Sequence, residues 1–239
     1  MADDRFYFRQ LLSGRDFAVG DPMATQMVNF AYLLGDRQAG VAVLVDPAYA
    51  VGELCDLVEA DGLRVVGALA THHHADHVGG TMFGARTEGI AELVGRGHGP
   101  VHVQREDAEF VRRTTGVSES DLALHDGGDI VEVGDVRVHL LHTPGHTPGS
   151  QCFLVDGRLV SGDTLFLQGC GRTDFPGSDS VAMYESLTKL ATLPPETVVF
   201  PGHRYSPASF GTMEAVTESN MVYRAGSKED WLRTFGSNY

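Results

Sequence analysis

Apolar runs and short polar breaks alternate along the first third of the chain. "VNFAYLL" (28–34), "VAVLVD" (41–46) and "RVVGALAT" (64–71) are rich in Val, Leu, Ala and Phe and bounded by Gly, Asp or Pro, which predicts three strands. Between the last two, Val51, Leu54, Leu57 and Val58 recur at helical spacing and Gly62 closes the segment, predicting a helix. From Met82 to Gly99 the chain is polar and glycine-containing, with "EGIAELVG" as a short helix; "PVHVQ" and "REDAEFVRRTTG" then read as a strand and a helix.

From Asp129 the rhythm shortens. "DIVEV", "VRVHLLHT", "SQCFLV" and "RLVSGD" are short strand patterns, separated in part by Gly134-Asp135 and Asp156-Gly157. Asp-Gly between two such runs signals a hairpin, because the favoured two-residue turn needs positive φ. The amphipathic segment "SVAMYESLTKLATL" (180–193) runs into Pro194-Pro195; the strand "TVVFPG" and helical patterns over 212–224 and 228–235 follow. Sheet, helices, sheet, helices predicts an α/β fold of two halves packed sheet to sheet, in a single domain over residues 1–239.

Composition narrows the function. A chain of 239 residues, 42% hydrophobic and 21% charged, can bury a full core. With 18 Lys and Arg against 32 Asp and Glu the formal charge is −14, which argues against nucleic acid or an anionic membrane as partner. The opening "MADDRFYFRQLL" lacks the uninterrupted apolar stretch of an export signal, so a cytoplasmic protein is expected. Cys55, Cys152 and Cys170 form neither a disulfide framework nor a metal clip; the first two read as core and Cys170 as packing.

The chemistry concentrates in "LATHHHADHVGG" (69–80). In an extended chain His72, His74 and Asp76 project together while His73 points away, and a helix beginning near Asp76 would bring His77 to the same place. Three more donors each follow an apolar run: His146 in "HTPGHTPGS", Asp163 in "VSGDTLF" and His203 in "VVFPGHRY". Strand C-terminal ends are where ligands collect on αβ sheets. If Asp163 bridges, His72, His74 and His146 complete one metal site, and Asp76, His77 and His203 complete another. Nitrogen and oxygen donors without thiolate suit zinc, iron or manganese. His73, His98, His102, His125, His139 and His142 read as surface or supporting residues, and Trp231 as packing.

In this order, "THHHADH", "HTPGHTPGS", "SGDTLF" and "PGHRY" resemble the metallo-β-lactamase superfamily, and matching segments run from about Phe30 to Tyr205. The resemblance implies an αββα four-layer sandwich, two mixed sheets face to face with helices outside, and a metal centre at one edge. Within the superfamily the chain is similar to the glyoxalase II and persulfide dioxygenase branch, on "FAYLLGDRQAGVAVLVDP", "GDTLF" and "GCGRTDF". The C-terminal "SNMVYRAGSKEDWLRTFG" departs from glyoxalase II in lacking a basic glutathione-binding tail, and the segment from Gly80 to Asp129 is longer than expected of a compact dioxygenase.

The resemblance implies a metal-dependent hydrolase of a thioester or related ester, with two divalent ions, zinc foremost, and Asp76 both binding metal and handling a proton. The alternative is a persulfide dioxygenase with one Fe(II) on His72, His146 and Asp163; a non-catalytic member of the fold is weaker. The expected partner is a small molecule, an anionic thioester or a thiol. Arg172 could hold a substrate carboxylate or pair with Asp174, and Tyr205 could donate to substrate or pack its ring.

Overall fold

A computed structural model describes residues 5–236. The first sheet takes β1 (Phe6–Leu12), β2 (Phe30–Asp36), β3 (Val41–Val45) and β4 (Arg64–Leu69); a small hairpin, β5 (Gly80–Met82) and β6 (Ala85–Thr87), stands apart, and β7 (Val101–Gln104) and β8 (Leu122–His125) complete the sheet in the order β1-β2-β3-β4-β7-β8. The second sheet holds β9 (Ile130–Val133), β10 (Val136–His142), β11 (Gln151–Val155), β12 (Arg158–Gly162), β13 (Val198–Pro201) and β14 (Gly211–Thr212), ordered β14-β13-β12-β11-β10-β9. Both sheets are mixed: β3, β4, β7 and β8 run parallel, as do β12 and β13, and the other pairings are antiparallel.

Residue parity within the strands builds the layers. Phe30, Tyr32, Leu34, Val43 and Leu69 face Val138, Leu140, Phe153, Val160 and Phe200 of the other sheet in one shared core. Their neighbours Ala31, Leu33, Ala42 and Leu44 turn to the opposite face. That face is covered by α1 (Pro22–Met27), α2 (Val51–Ala60), α4 (Ile90–Gly95) and α5 (Ala108–Thr115), while α3 (Ala75–Val78) is a single turn following β4. Cys152 and Leu159 face outward from the second sheet onto α6 (Ser180–Leu190), α7 (Met213–Ser219) and α8 (Lys228–Phe235). The result is the four-layer αββα sandwich. Every residue of β2 and β3 is buried, which is why those runs read as continuously apolar.

Several expectations need adjustment. The first predicted strand starts two residues late: Val28 caps α1 in the left-handed region at φ 49°, and the strand begins at Phe30. β1 and β8 were not predicted as strands. They are the edges of the first sheet, where one face need not be apolar, and Arg9 and Gln10 interrupt the β1 pattern. α1 also escaped, although Asp21 caps it by accepting from the Met23 and Ala24 amides and Pro22 sits in its first turn. The helical pattern over 212–224 breaks at Asn220 into α7 and a 3₁₀ turn at Met221–Tyr223. The long 80–129 segment supplies β5 to β8 with two helices and completes the first sheet. Asp156-Gly157 turns as predicted, with φ of 46° and 69°.

Candidate metal centre

The ends of β4, β10, β12 and β13 meet at one edge of the sandwich. The Gln151 amide donates to Thr71 O (2.9 Å), and the Phe30 amide donates to Gly202 O (2.8 Å). Gly202 is required by this closeness, since a Cβ there would lie 2.3 Å from Asp163 Oδ1. His74 ends the extended segment after β4 with ψ 146°, and α3 then turns Asp76 and His77 back toward the edge. A helix starting near Asp76 was expected; it starts at Ala75.

All seven donors converge. His72, His74 and His146 form one cluster with facing ligand atoms, and Asp76, His77 and His203 form another. His146 Nε2 lies 3.0 Å from His74 Nδ1, and His77 Nε2 lies 3.2 Å from His203 Nε2. Asp163 sits between the clusters: Oδ2 is 3.7 Å from His146 Nε2 and 3.3 Å from His203 Nε2, and Oδ1 is 3.4 Å from His77 Nε2.

The outer nitrogens fix the rings. His77 Nδ1 donates to Asp46 Oδ2 (2.9 Å), His146 Nδ1 to Arg172 O (2.7 Å) and His203 Nδ1 to Met27 O (2.8 Å). Thr71 Oγ1 donates to Asp46 Oδ2 (2.6 Å), leaving its oxygen to accept from His72 Nδ1 at 3.0 Å. Four Nε2 atoms therefore point inward, as metal-ligating imidazoles are oriented by such outer bonds. His72 Nε2 and Asp163 Oδ1 are buried without a hydrogen-bond partner among the described residues. Buried polar atoms left this way are costly, and opposed lone pairs need positive charge between them. Divalent cations meet both demands, so the donor set fits metal.

Electrostatics agree. Burial, with the neighbouring imidazoles His77, His74 and His146, holds His72 well below the usual histidine range, and burial pushes His74 down to about 3. Burial also disfavours charge on His77 and His203, but the carboxylates of Asp76 and Asp163 outweigh it and hold both well above the ordinary value. Asp76 and Asp163 are held low in return: burial opposes their ionisation, and His77 and His203 overcome it. The carboxylate side of the site calls for cations.

Some supporting residues carried no sequence signal. Asp107, buried ahead of α5, accepts from the His73 amide (3.1 Å) and His73 Nδ1 (3.0 Å) on one ligand loop, and from Thr147 Oγ1 (2.7 Å) and the Gly149 amide (2.7 Å) on the other. His73 points away from the centre as expected and serves as one end of this latch. Asn29 donates to Asp76 Oδ2 (3.1 Å) and accepts from Tyr49 OH (2.8 Å). Asn220 closes the loop after Asp163, its amide group bonding Phe166 O, Gly169 O and the Gly169 amide. Only distance in three dimensions reveals such residues.

Above the centre opens a cavity of about 440 Å³ lined by His74, Asp76, His146, Asp163 and His203 and by Arg172, Tyr205 and three phenylalanines. Arg172 pairs with Asp174 through two bonds (2.9 and 2.5 Å) and lies over the Phe175 ring at 4.7 Å. Tyr205 stacks on His203 with ring centroids 4.7 Å apart. Cys170 also lines the cavity, but burial pushes its thiol up to about 12, so it is no ready nucleophile.

An αββα sandwich with a five-histidine, two-aspartate cluster at one sheet edge defines a class of metal-dependent enzymes. Residues 24–203 match the sequence profile of the metallo-beta-lactamase superfamily, and the chain belongs to that superfamily, in its glyoxalase II and ETHE1-like branch. It is 35% identical over 203 residues to a hydroxyacylglutathione hydrolase of Rhodopseudomonas palustris, covering 84% of this chain and 72% of that one. It is 32% identical over 190 residues to the human mitochondrial persulfide dioxygenase ETHE1, covering 77% and 67%. A probable polyketide biosynthesis zinc-dependent hydrolase of Bacillus velezensis, BaeB, is 28% identical over 205 residues, 85% of each chain. The crystal structure of ETHE1 from Myxococcus xanthus superposes with a TM-score of 0.79 at 29% identity, over 97% of this chain and 90% of that one.

Proposed function

We propose that the chain is a thioester hydrolase working with two divalent metal ions, zinc foremost, held by His72, His74 and His146 on one side and Asp76, His77 and His203 on the other, with Asp163 shared. The observation that carries this reading is the second cluster: Asp76, His77 and His203 are each held by their own outer partner, Asn29, Asp46 and the Met27 carbonyl. The matched length of the probable zinc-dependent hydrolase, 85% of both chains, supports it.

Bound divalent ions would supply a water acidified to a pKa of roughly 7 and polarisation of the thioester carbonyl. The chain's own residues do the rest. Asp76, ionised at neutral pH, accepts a proton from the attacking water, and Asn29 holds its carboxylate in place. The rigid imidazoles, locked by Asp46, Arg172 O and Met27 O, keep the donors fixed, so no reorganisation is needed as charge develops. The cavity admits a small molecule, and the charge of −14 disfavours nucleic acid as substrate.

The second reading is a single-iron persulfide dioxygenase. His72, His146 and Asp163 alone make a two-histidine, one-carboxylate set with open positions, and the similarity to ETHE1 favours it. Thiol release from S-acyl substrates by the zinc-loaded protein, set against oxygen uptake with glutathione persulfide by the iron-loaded protein, tests the two. Thioester turnover with no oxygen uptake is expected; the reverse would replace the hydrolase reading.

A further inference from the structure

The hairpin β5–β6 closes through Phe83-Gly84, with Met82 paired to Ala85. Both turn residues have positive φ, 49° and 81°, the turn that normally takes Asn-Gly or Gly-Gly. The left-handed conformation is unfavourable for a phenylalanine, whose Cβ crowds the following carbonyl oxygen. Packing does not repay it, because Phe83 is 82% exposed. A bulky aromatic held where folding gains nothing points to a ligand contact.

Phe83 lines the cavity over the metal centre. So do Phe175 and Tyr205, 38% and 56% exposed, and Phe166 and Met27 continue the same wall. Three of the seven large exposed hydrophobic residues among those described thus ring a single opening. Apolar surface gathered in this way marks a binding site. Arg172 is the one Lys or Arg in the described lining, and its guanidinium is engaged twice by Asp174 and stacked on Phe175.

Resting on the hydrolase reading above, we propose that this mouth selects thioesters with a bulky apolar acyl group, aryl or branched alkyl, and that the carboxylates of a glutathione-type thiol play no part in recognition. Phe83 is the specificity-determining residue at its outer edge: the ring covers the apolar acyl group while the thioester carbonyl reaches the His74 and His146 side of the centre.

The test uses the full-length, zinc-loaded protein. Binding of inert thioethers of N-acetylcysteamine carrying a phenylethyl or a carboxyethyl group is measured by calorimetry, and kcat/KM is measured for phenylacetyl, acetyl and succinyl thioesters of the same thiol and for phenylacetyl-glutathione. The phenyl thioether should bind at least about tenfold more tightly than the carboxyethyl one, the phenylacetyl thioester should have the highest kcat/KM, and glutathione should bring no advantage over N-acetylcysteamine. Phe83→Gly should cut the phenyl preference about three- to tenfold, the size of one aromatic contact. Its thermal midpoint should be unchanged or higher, because the turn now holds the residue it favours. Equal or reversed binding of the carboxyethyl compound, a glutathione advantage, or an intact phenyl preference in Phe83→Gly would overturn the proposal. If no thioester is turned over while the binding order holds, the hydrolase reading fails and the apolar mouth stands.

Discussion

The floor and the mouth of the cavity are built on opposite principles. In the floor, His72, His77, His146 and His203 are all buried, and each carries a second hydrogen bond that fixes its ring. At the mouth, Phe83 is largely exposed, and Tyr205 is exposed on one side while its other face stacks on His203. Rigid polar groups whose partners are all specified suit a chemistry that does not change. Exposed rings on a hairpin tip and loops suit a contact that can vary, most freely at Phe83, since Tyr205 stacks on His203 and Phe175 lies edge-on to His74. The superfamily's many reactions fit this division, since function lives in sites grafted onto a shared fold.

The largest effect should come from the shared floor ligand. Asp163→Ala removes the carboxylate between the two clusters, so metal analysis should find both ions lost together and turnover reduced by well over 100-fold, beyond the range of roughly 10–100-fold typical of outer-shell changes. Full metal content in that variant would break the two-cluster account. His77→Ala is more selective: stoichiometry should drop from two to one with most thioester turnover lost. Unchanged iron content with persisting oxygen uptake would instead favour the dioxygenase.

Next comes the latch beneath the floor. Asp107→Ala removes the shared acceptor of the His73 ring, the Thr147 hydroxyl and two backbone amides, and should weaken metal affinity roughly 10–100-fold. Asp107→Asn keeps one acceptor and should fall between the variant and the parent in a chelator competition. Equal affinities for all three would show that the two ligand loops hold themselves.

Acidity separates the regions further. His77 and His203, held above the ordinary histidine value by Asp76 and Asp163, keep protons in the metal-free chain that a cation must displace. Metal affinity should therefore fall as pH falls, about tenfold per unit for each proton displaced. At the mouth, burial pushes Tyr205 up to about 12, so its ring does not ionise near neutrality. Binding of the inert phenyl thioether to metal-loaded protein should be flat between pH 6.5 and 8.5, measured by calorimetry. The smallest effect comes from a helix cap: Asp179→Ala removes the carboxylate that accepts from the Val181 and Ala182 amides at the start of α6, and keeps the Asp179 amide that donates to Gly145 O beside His146. It should lower stability by about 1 kcal/mol in urea unfolding and leave metal content as it was.

The same division explains how much could be read from the sequence. The floor ligands were legible because each follows an apolar strand and lies in a short motif, so His72 through His203 could be named from local pattern alone. Their supports were not. Asp46 and Asn29 act on His77 and Asp76, 31 and 47 residues away, and Asp107 acts on His73, 34 residues away; nothing in their neighbourhoods distinguishes them from other strand-end or helix-entry residues. Edge strands β1 and β8 were hidden because their patterns do not alternate cleanly: in β1, Phe8, Arg9 and Gln10 are all half-buried in succession, whereas the central β10 alternates buried and exposed positions around Arg137 and His139. Of the mouth, Arg172 and Tyr205 could be named as candidates, but Phe83 was hidden, because Phe83-Gly84 is not a turn pair that sequence rules recognise, and its strain appears only in the backbone angles.

The claim that two occupied metal positions drive thioester hydrolysis is tested most directly by elemental analysis and assay of a single preparation. Full-length protein purified without added metal should carry two equivalents of divalent metal, mainly zinc, and release thiol from phenylacetyl-N-acetylcysteamine in proportion to that content. One equivalent of iron, with oxygen uptake on persulfide and no thiol release, would contradict it.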